Sequence, residues 1–356
     1  MFKPHIQKLE RTQTSENRDI KKGVLLDRNE RVENYNEATY RKIIKSISRF
    51  SINATPDIQN LYKNLSKFFK VNKNNIYIGQ GITELMSQII FSLVKKNEEV
   101  VIMDPTYPMY EVLCNLNEVK IKKWKFNKNL SLEFNDLKKI VTKKTKVVFL
   151  VNPNLPIEFE FDNTLKNKIY KFCLKKNIIL VYDEAYYHFG SKTEIKNSVK
   201  KKNLIVMRTF SKAWGLPSIR LGFLVTNRKL CEYISKCRSL VETNALSFQI
   251  AMWALNNKKI LDNHVFQIKA GSKYMQKSLK ELNIFFKGGI VTNAILIRLK
   301  DKKETENLRL FMRKKKIYIR TNFKGKIENC IRISLGPVDK MKIFMSAFNN
   351  WLKLKR

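Results

Sequence analysis

The strongest constraint on the fold is a repeated alternation of short, nearly unbroken apolar runs with helical patterns. Ile76-Tyr77-Ile78 reads as a strand, followed by a helix from Thr83 to Val94 carrying Leu85, Ile89, Ile90 and Leu93. Val100 to Met103 is a strand before a helix from about Met109 to Asn115. Lys146 to Val151 is a strand before a helix over Asn163 to Lys175, and Ile178 to Tyr182 is a strand again. Asn203 to Met207 and Leu221 to Val225 add two more short, buried strands. Near-continuous apolar strands separated by helices predict an α/β fold with a mostly parallel sheet covered on both faces. Ligands of such sheets sit beyond the carboxyl ends of the strands.

From about Phe248 the texture changes. A long helical pattern covers Asn263 to Leu282, and shorter strands follow at Ala294 to Leu299, Ile317 to Arg320 and Cys330 to Leu335. A last helix runs from about Val338 to Leu352. A chain of 356 residues divides into about two domains. The division predicted here is an N-terminal arm over 1–44, a large domain over 45–247 and a smaller C-terminal α+β domain over 248–356.

The net charge of +39 raises the question of nucleic acid. The basic residues are spread over nearly every predicted surface, as in Lys67 to Lys73 and Arg313 to Lys316, and no nucleic-acid-binding signature accompanies them. No specific nucleic-acid function is therefore expected, although the surplus favours anionic ligands in a cleft. No apolar run approaches the roughly 18 residues of a membrane span, and the polar N-terminus shows no signal peptide. The five cysteines are scattered without a paired motif and the histidines number three, so neither a disulfide framework nor a metal site is expected. Reduced thiols in the cytoplasm are the default for such a chain.

Several candidate site segments lie just past strand ends. In Thr209-Phe210-Ser211-Lys212 a lysine follows two hydroxyl residues, and Arg220 comes shortly afterwards. Most lysines are solvated surface charges, but this one lies in a loop between two core strands. An amine that must form an imine beside a phosphate needs such hydroxyls and a guanidinium. Gly79-Gln80-Gly81-Ile82-Thr83 follows a strand and opens a helix. That is either an ordinary turn or an anion cradle of backbone N–H groups. Asp104-Pro105-Thr106-Tyr107-Pro108-Met109-Tyr110 is a turn with aromatics that pack in a core or stack on a flat ring. Asp183, in Tyr182-Asp183-Glu184-Ala185-Tyr186, ends an apolar strand, where a carboxylate is costly to bury without a partner. Arg332 is a charge inside the apolar strand Cys330 to Leu335, a setting that calls for an anionic partner. Arg320 is either a second such arginine or part of the basic surface around Arg313 to Lys316.

Together these segments resemble the class I/II (fold-type I) aminotransferases, closest to the histidinol-phosphate aminotransferase branch. The resemblance runs in order along most of the chain. It implies a pyridoxal 5′-phosphate enzyme with Lys212 as the imine lysine. It implies Thr209, Ser211, Arg220, Gly81, Ile82 and Thr83 on the cofactor phosphate and Tyr107 stacked on the ring. Asp183 then pairs with the ring nitrogen and Tyr186 with the ring hydroxyl, and Glu184 is a structural partner. Arg332 and Arg320 bind the substrate's anionic groups. Leu26-Asp27-Arg28-Asn29-Glu30 resembles the family's lid segment, which puts Asn29 at the substrate. The implied reaction is ping-pong transfer of an amino group from an amino acid or phosphorylated amine to a keto acid, by a homodimer. A decarboxylase of a phosphorylated amino acid and an inactive family member are the alternatives.

The chain departs from the family pattern in three places. Leu155 stands where an asparagine bonds the ring hydroxyl, with Asn154 as the available substitute. Thr55 stands where a tyrosine reaches the partner's phosphate. Arg31-Val32-Glu33-Asn34 replaces a Pro- and Gly-containing run.

Overall fold

The computed structural model describes residues 2–9 and 17–355. A short first strand, β1 (Val24–Leu26), precedes the large sheet. That sheet is built from β2 (Ile76–Gly79), β3 (Glu99–Asp104), β4 (Lys120–Lys125), β5 (Thr145–Val151), β6 (Ile179–Asp183), β7 (Leu204–Thr209) and β8 (Gly222–Val225). Their order across the seven-stranded sheet is β2-β8-β7-β6-β5-β3-β4. Pairing is parallel except on the two sides of β8. Every residue of β2, β7 and β8 is buried. Successive residues point to opposite faces, so both faces of the sheet are covered, as the apolar runs require. Helices Gln59–Phe69, Ile82–Leu93 and Asn163–Lys175 pack on it.

The sequence pattern carries no sign of β4. Its Lys-Ile-Lys-Lys-Trp-Lys run is the sheet's edge, where lysines face solvent and deter further pairing, and only Trp124 is buried. The long C-terminal helix also begins earlier than its pattern predicts, at Lys259, and ends at Glu281. Its first turn, Lys259-Ile260-Leu261-Asp262, alternates from charged to apolar and back, and buries Leu261.

The C-terminal region contains β9 (Phe286–Gly288), β10 (Ala294–Arg298), β11 (Ile317–Ile319) and β12 (Cys330–Ser334). Strands β12, β10 and β9 form an antiparallel sheet in that order. The N-terminal β1 pairs in parallel with β11, with Leu26 opposite Ile319. A backbone bridge between Arg320 and Arg332 then connects β11 to β12. The segment Asp27–Glu30 leaves β1 at this junction.

Candidate active site

Strands β3, β5, β6 and β7 run in parallel, so their carboxyl ends open on one edge of the sheet. The segments at that edge are Pro105–Tyr110, Asn152–Glu158, Glu184–Tyr186 and Phe210–Gly215. Residues far apart in sequence thereby converge, as the doubly covered parallel sheet predicts.

One corner has the shape of an anion cradle. Gly81 has φ +82° and is the N-cap of helix Ile82–Leu93. A side chain there would meet Arg220 Nη2 at 3.2 Å, so the missing Cβ leaves the guanidinium room beside the helix start. Arg220 itself has φ +47° and donates to Pro217 O at 3.0 Å. Thr209 pairs with Gly222, which lies against Gly81, and this brings the hydroxyls into the same corner. Thr209 Oγ1 accepts from Ser211 N at 3.0 Å and lies 3.0 Å from Ser211 Oγ. Backbone N–H groups, two hydroxyls and a guanidinium form a donor set that suits a phosphate.

The other corner holds the titratable groups. Asp183 is buried, and Tyr110 Oη donates to its Oδ2 at 2.8 Å while Ala185 N donates to Oδ1 at 3.0 Å. Burial pushes its pKa up to about 6 against these bonds. Lys212 is half-buried, and its Nζ donates to Arg28 O at 3.2 Å and Asn29 O at 3.3 Å. Burial, with the neighbouring Arg332 charge next, lowers its pKa to about 8. Its amine lies 5.8 Å from the centre of the Tyr186 ring. Burial raises the Tyr186 pKa, and its Oη accepts from Asn29 Nδ2 at 3.0 Å.

Arg332 stands beside Tyr186 on β12 and donates from Nη2 to Asp27 O at 2.7 Å. Burial and the adjacent Arg320 guanidinium lower its pKa to about 10, against Tyr186 and Asp27. The two arginines thus put adjacent positive charge at the mouth of the site. Tyr107 leaves its ring exposed and meets Tyr110 edge-on at 6.5 Å. Thr83 is half-buried in the first turn of its helix.

Asn154 is committed elsewhere. Its Nδ2 donates to Pro105 O at 3.2 Å and Ile157 O at 3.0 Å, and its Oδ1 accepts from Thr106 at 2.8 Å. Both amide hydrogens are therefore used within the loop. Leu155 is buried in the hydrophobic core.

Four residues of the site's surroundings have no role in the sequence reading. Tyr110 sits in a quoted motif, yet only the turn into helix Met109–Leu116 sends its hydroxyl to Asp183. Ser334 accepts from Asn29 N at 2.8 Å across 305 residues, which no local signal announces. Glu158 accepts from Ile290 N and Val291 N at 3.2 Å and from Thr292 Oγ1 at 2.5 Å, tying the Asn152 loop to the turn before β10. Arg208 is the buried partner of Glu184.

Residues 22–348 match the family model described as aminotransferase class I and II. The histidinol-phosphate aminotransferase of Methanocaldococcus jannaschii is 27% identical over 85% of this chain and 82% of its own length. That of Clostridium kluyveri is 28% identical over 93% of each chain. The solved histidinol-phosphate aminotransferase of Sinorhizobium meliloti, in complex with pyridoxal-5′-phosphate, superposes with a TM-score of 0.86 at 21% identity. It covers 100% of this chain and 98% of that one. The architecture is the fold-type I arrangement that the sequence predicts.

Proposed function

The chain belongs to the class I and II aminotransferases, and from that premise we propose that it binds pyridoxal 5′-phosphate at Lys212 and transfers amino groups from an anionic amine to a keto acid. The observation that carries the reading is the meeting of Asp183 and Tyr186 at the end of β6, Lys212 after β7 and Arg332 of β12, beside the Gly81–Arg220 cradle. The residues fit the cofactor on two counts. The cradle has the donors a phosphate requires and the space left by Gly81. Asp183 is a buried carboxylate without a cation bonded to it among the described residues, which suits a protonated ring nitrogen.

When bound, the cofactor supplies an aldehyde for condensation with amines and a ring that accepts electrons. Thr209, Ser211, Arg220, Thr83 and the backbone of Gly81 and Ile82 hold the phosphate, and the open face of Tyr107 receives the ring. Asp183 keeps a proton on the ring nitrogen. Lys212, with its lowered pKa, is partly neutral near pH 8, as a nucleophile and proton carrier must be. Arg332 and Arg320 attract the substrate's carboxylate or phosphate. The named relatives make histidinol phosphate the first donor to test.

A homodimer is part of the proposal. Phe50, Ile52, Leu240 and Leu246 are exposed, and the two segments that carry them adjoin through Ser48 N donating to Gln249 Oε1 at 2.5 Å. Among the described residues no helix is long and apolar enough to cross a membrane. We assign the enzyme to the cytoplasm.

The test is borohydride reduction of the yellow holoprotein followed by peptide mapping, with a donor panel scored by the absorbance of single half-reactions. We expect label on Lys212, and loss of the yellow form in a folded Lys212→Ala variant. Label on another lysine would overturn the assignment, and carbon dioxide release without a keto acid would favour the decarboxylase reading.

A further inference from the structure

We infer that Asn29 is a positioning residue: its side-chain amide fixes the Tyr186 phenol as a hydrogen-bond donor facing Lys212, and its backbone ties that arrangement to β12. The inference rests on the aminotransferase reading above and adds a residue that acts through another.

Tyr186 Oη accepts from Asn29 Nδ2 at 3.0 Å, and among the described residues its own hydrogen has no acceptor. That hydrogen is therefore free for a ligand oxygen in the site. An accepted bond polarises the phenol and strengthens the bond it donates. The orientation of the Asn29 amide follows from Ser334. Ser334 Oγ already accepts from Asn29 N at 2.8 Å, so its own hydrogen is left for Asn29 Oδ1 at 3.3 Å. The amide nitrogen must then face Tyr186.

The backbone of Asn29 carries the rest. Its φ of +55° is a left-handed conformation that asparagine tolerates and most residues do not. Asn29 O accepts from Lys212 Nζ at 3.3 Å and from Asn293 Nδ2 at 3.3 Å. One buried residue thereby meets the lysine, the ring tyrosine and two strands or turns of the C-terminal region. No second side chain takes over the task from the neighbouring loop, since both amide hydrogens of Asn154 are spent.

The experiment is a spectrophotometric pH titration of the holoprotein's bound-cofactor absorbance, run with kcat and KM. The variants are Asn29→Gly, which keeps the positive φ unstrained, Ser334→Ala, Tyr186→Phe and the Asn29→Gly/Tyr186→Phe pair. The charged groups facing Lys212 and Tyr186 are Arg332, Glu30, Arg220 and Asp183, and these variants leave all of them in place. A weaker phenol donor stabilises less negative charge on the ring oxygen, so the titration midpoint moves up. We expect a rise of roughly half to one pH unit in Asn29→Gly, a smaller rise in Ser334→Ala, and no further rise when Asn29→Gly is added to Tyr186→Phe. A midpoint that ignores Asn29, or shifts that add in the pair, would overturn the inference. So would a raised KM with an unmoved midpoint, the mark of a substrate contact. A wild-type chain that takes up no cofactor would overturn the functional reading itself.

Discussion

Asp183 and Glu184 are neighbours in sequence, both buried, at 4% and 1% exposure, and the molecule treats them in opposite ways. Glu184 is fully compensated. Its Oε2 accepts from Arg208 Nε at 2.9 Å and Thr193 Oγ1 at 2.8 Å, and its Oε1 accepts from Glu194 N at 2.7 Å. The Arg208 guanidinium also lies over the Tyr187 ring at 3.6 Å. Asp183 has two neutral donors and, among the described residues, no bonded cation. A buried charge needs a partner. Where the fold itself supplies the partner, the carboxylate is structural. Where it supplies only hydrogen bonds, the acid either holds a proton or takes its positive charge from a ligand, and such a perturbed acid is a candidate site residue.

The largest effect expected from this contrast is on turnover. Asp183→Asn would remove the counter-charge proposed for the ring nitrogen, a loss of about 3–5 kcal/mol if it resembles a broken buried pair. That corresponds to roughly two to four orders of magnitude in kcat/KM. Glu184→Gln should leave turnover per folded molecule within about threefold. Its cost is in stability, about 3 kcal/mol, because Arg208 is left buried without its counter-charge. Steady-state kinetics beside urea unfolding separates the two. Equal activity losses, with cofactor bound in both variants, would erase the distinction.

A smaller effect has the opposite sign. Burial lifts Asp183 from 3.8 to about 6 in the cofactor-free chain. Between those values the folded state holds a proton that the unfolded state has released, so this group's contribution to stability is lost as pH rises from about 4 through 6. The shift corresponds to about 3 kcal/mol. An amide in place of the carboxylate disturbs the bond from Tyr110, which takes back about 1 kcal/mol. Cofactor-free Asp183→Asn should therefore be about 2 kcal/mol more stable than the parent at pH 7, with the gap closing at about pH 4.5 and reversing below it. Thermal unfolding of the cofactor-free proteins at both pH values checks this. A variant less stable at pH 7 would mean that Asp183 is compensated after all.

The parallel sheet and the residues at its strand ends were legible because each signal is local. Apolar runs declare the strands, and Asp183, Lys212 and Tyr107 lie within a few residues of a strand end. Edge strand β4 was illegible because its lysines carry the charge pattern of a loop. The Glu184–Arg208 pair was half legible: the sequence marks Glu184 as structural but cannot name an arginine one strand away. The contact of Asn29 with Ser334 joins the two ends of the chain through the β1–β11 pairing, and no periodicity reports such a long-range register. Asn154 shows the limit from the other side. Its residue type and position match a cofactor donor, whereas the loop's own carbonyls take both of its hydrogens.

The smallest expected effect tests whether Asp183 depends on the donors it has. Tyr110 Oη is its shorter bond, at 2.8 Å. Tyr110→Phe keeps the ring, which packs on Phe149 at 5.0 Å between centroids, and removes one donor. A hydrogen bond to an ionised acceptor is worth about 1.5–3 kcal/mol and a neutral one about 1. The cost of Tyr110→Phe in the cofactor-free chain should therefore be larger at pH 7.5, where Asp183 is ionised, than at pH 4.5, where it is protonated. Any packing change is the same at both pH values, so the difference of about 1 kcal/mol isolates the charge on Asp183. The sign follows from the same linkage: losing a donor to the ionised form raises the Asp183 pKa further and extends the destabilised range upward in pH. An equal cost at the two pH values would show that Asp183 does not titrate between them. The contrast with Glu184 would then rest on geometry alone.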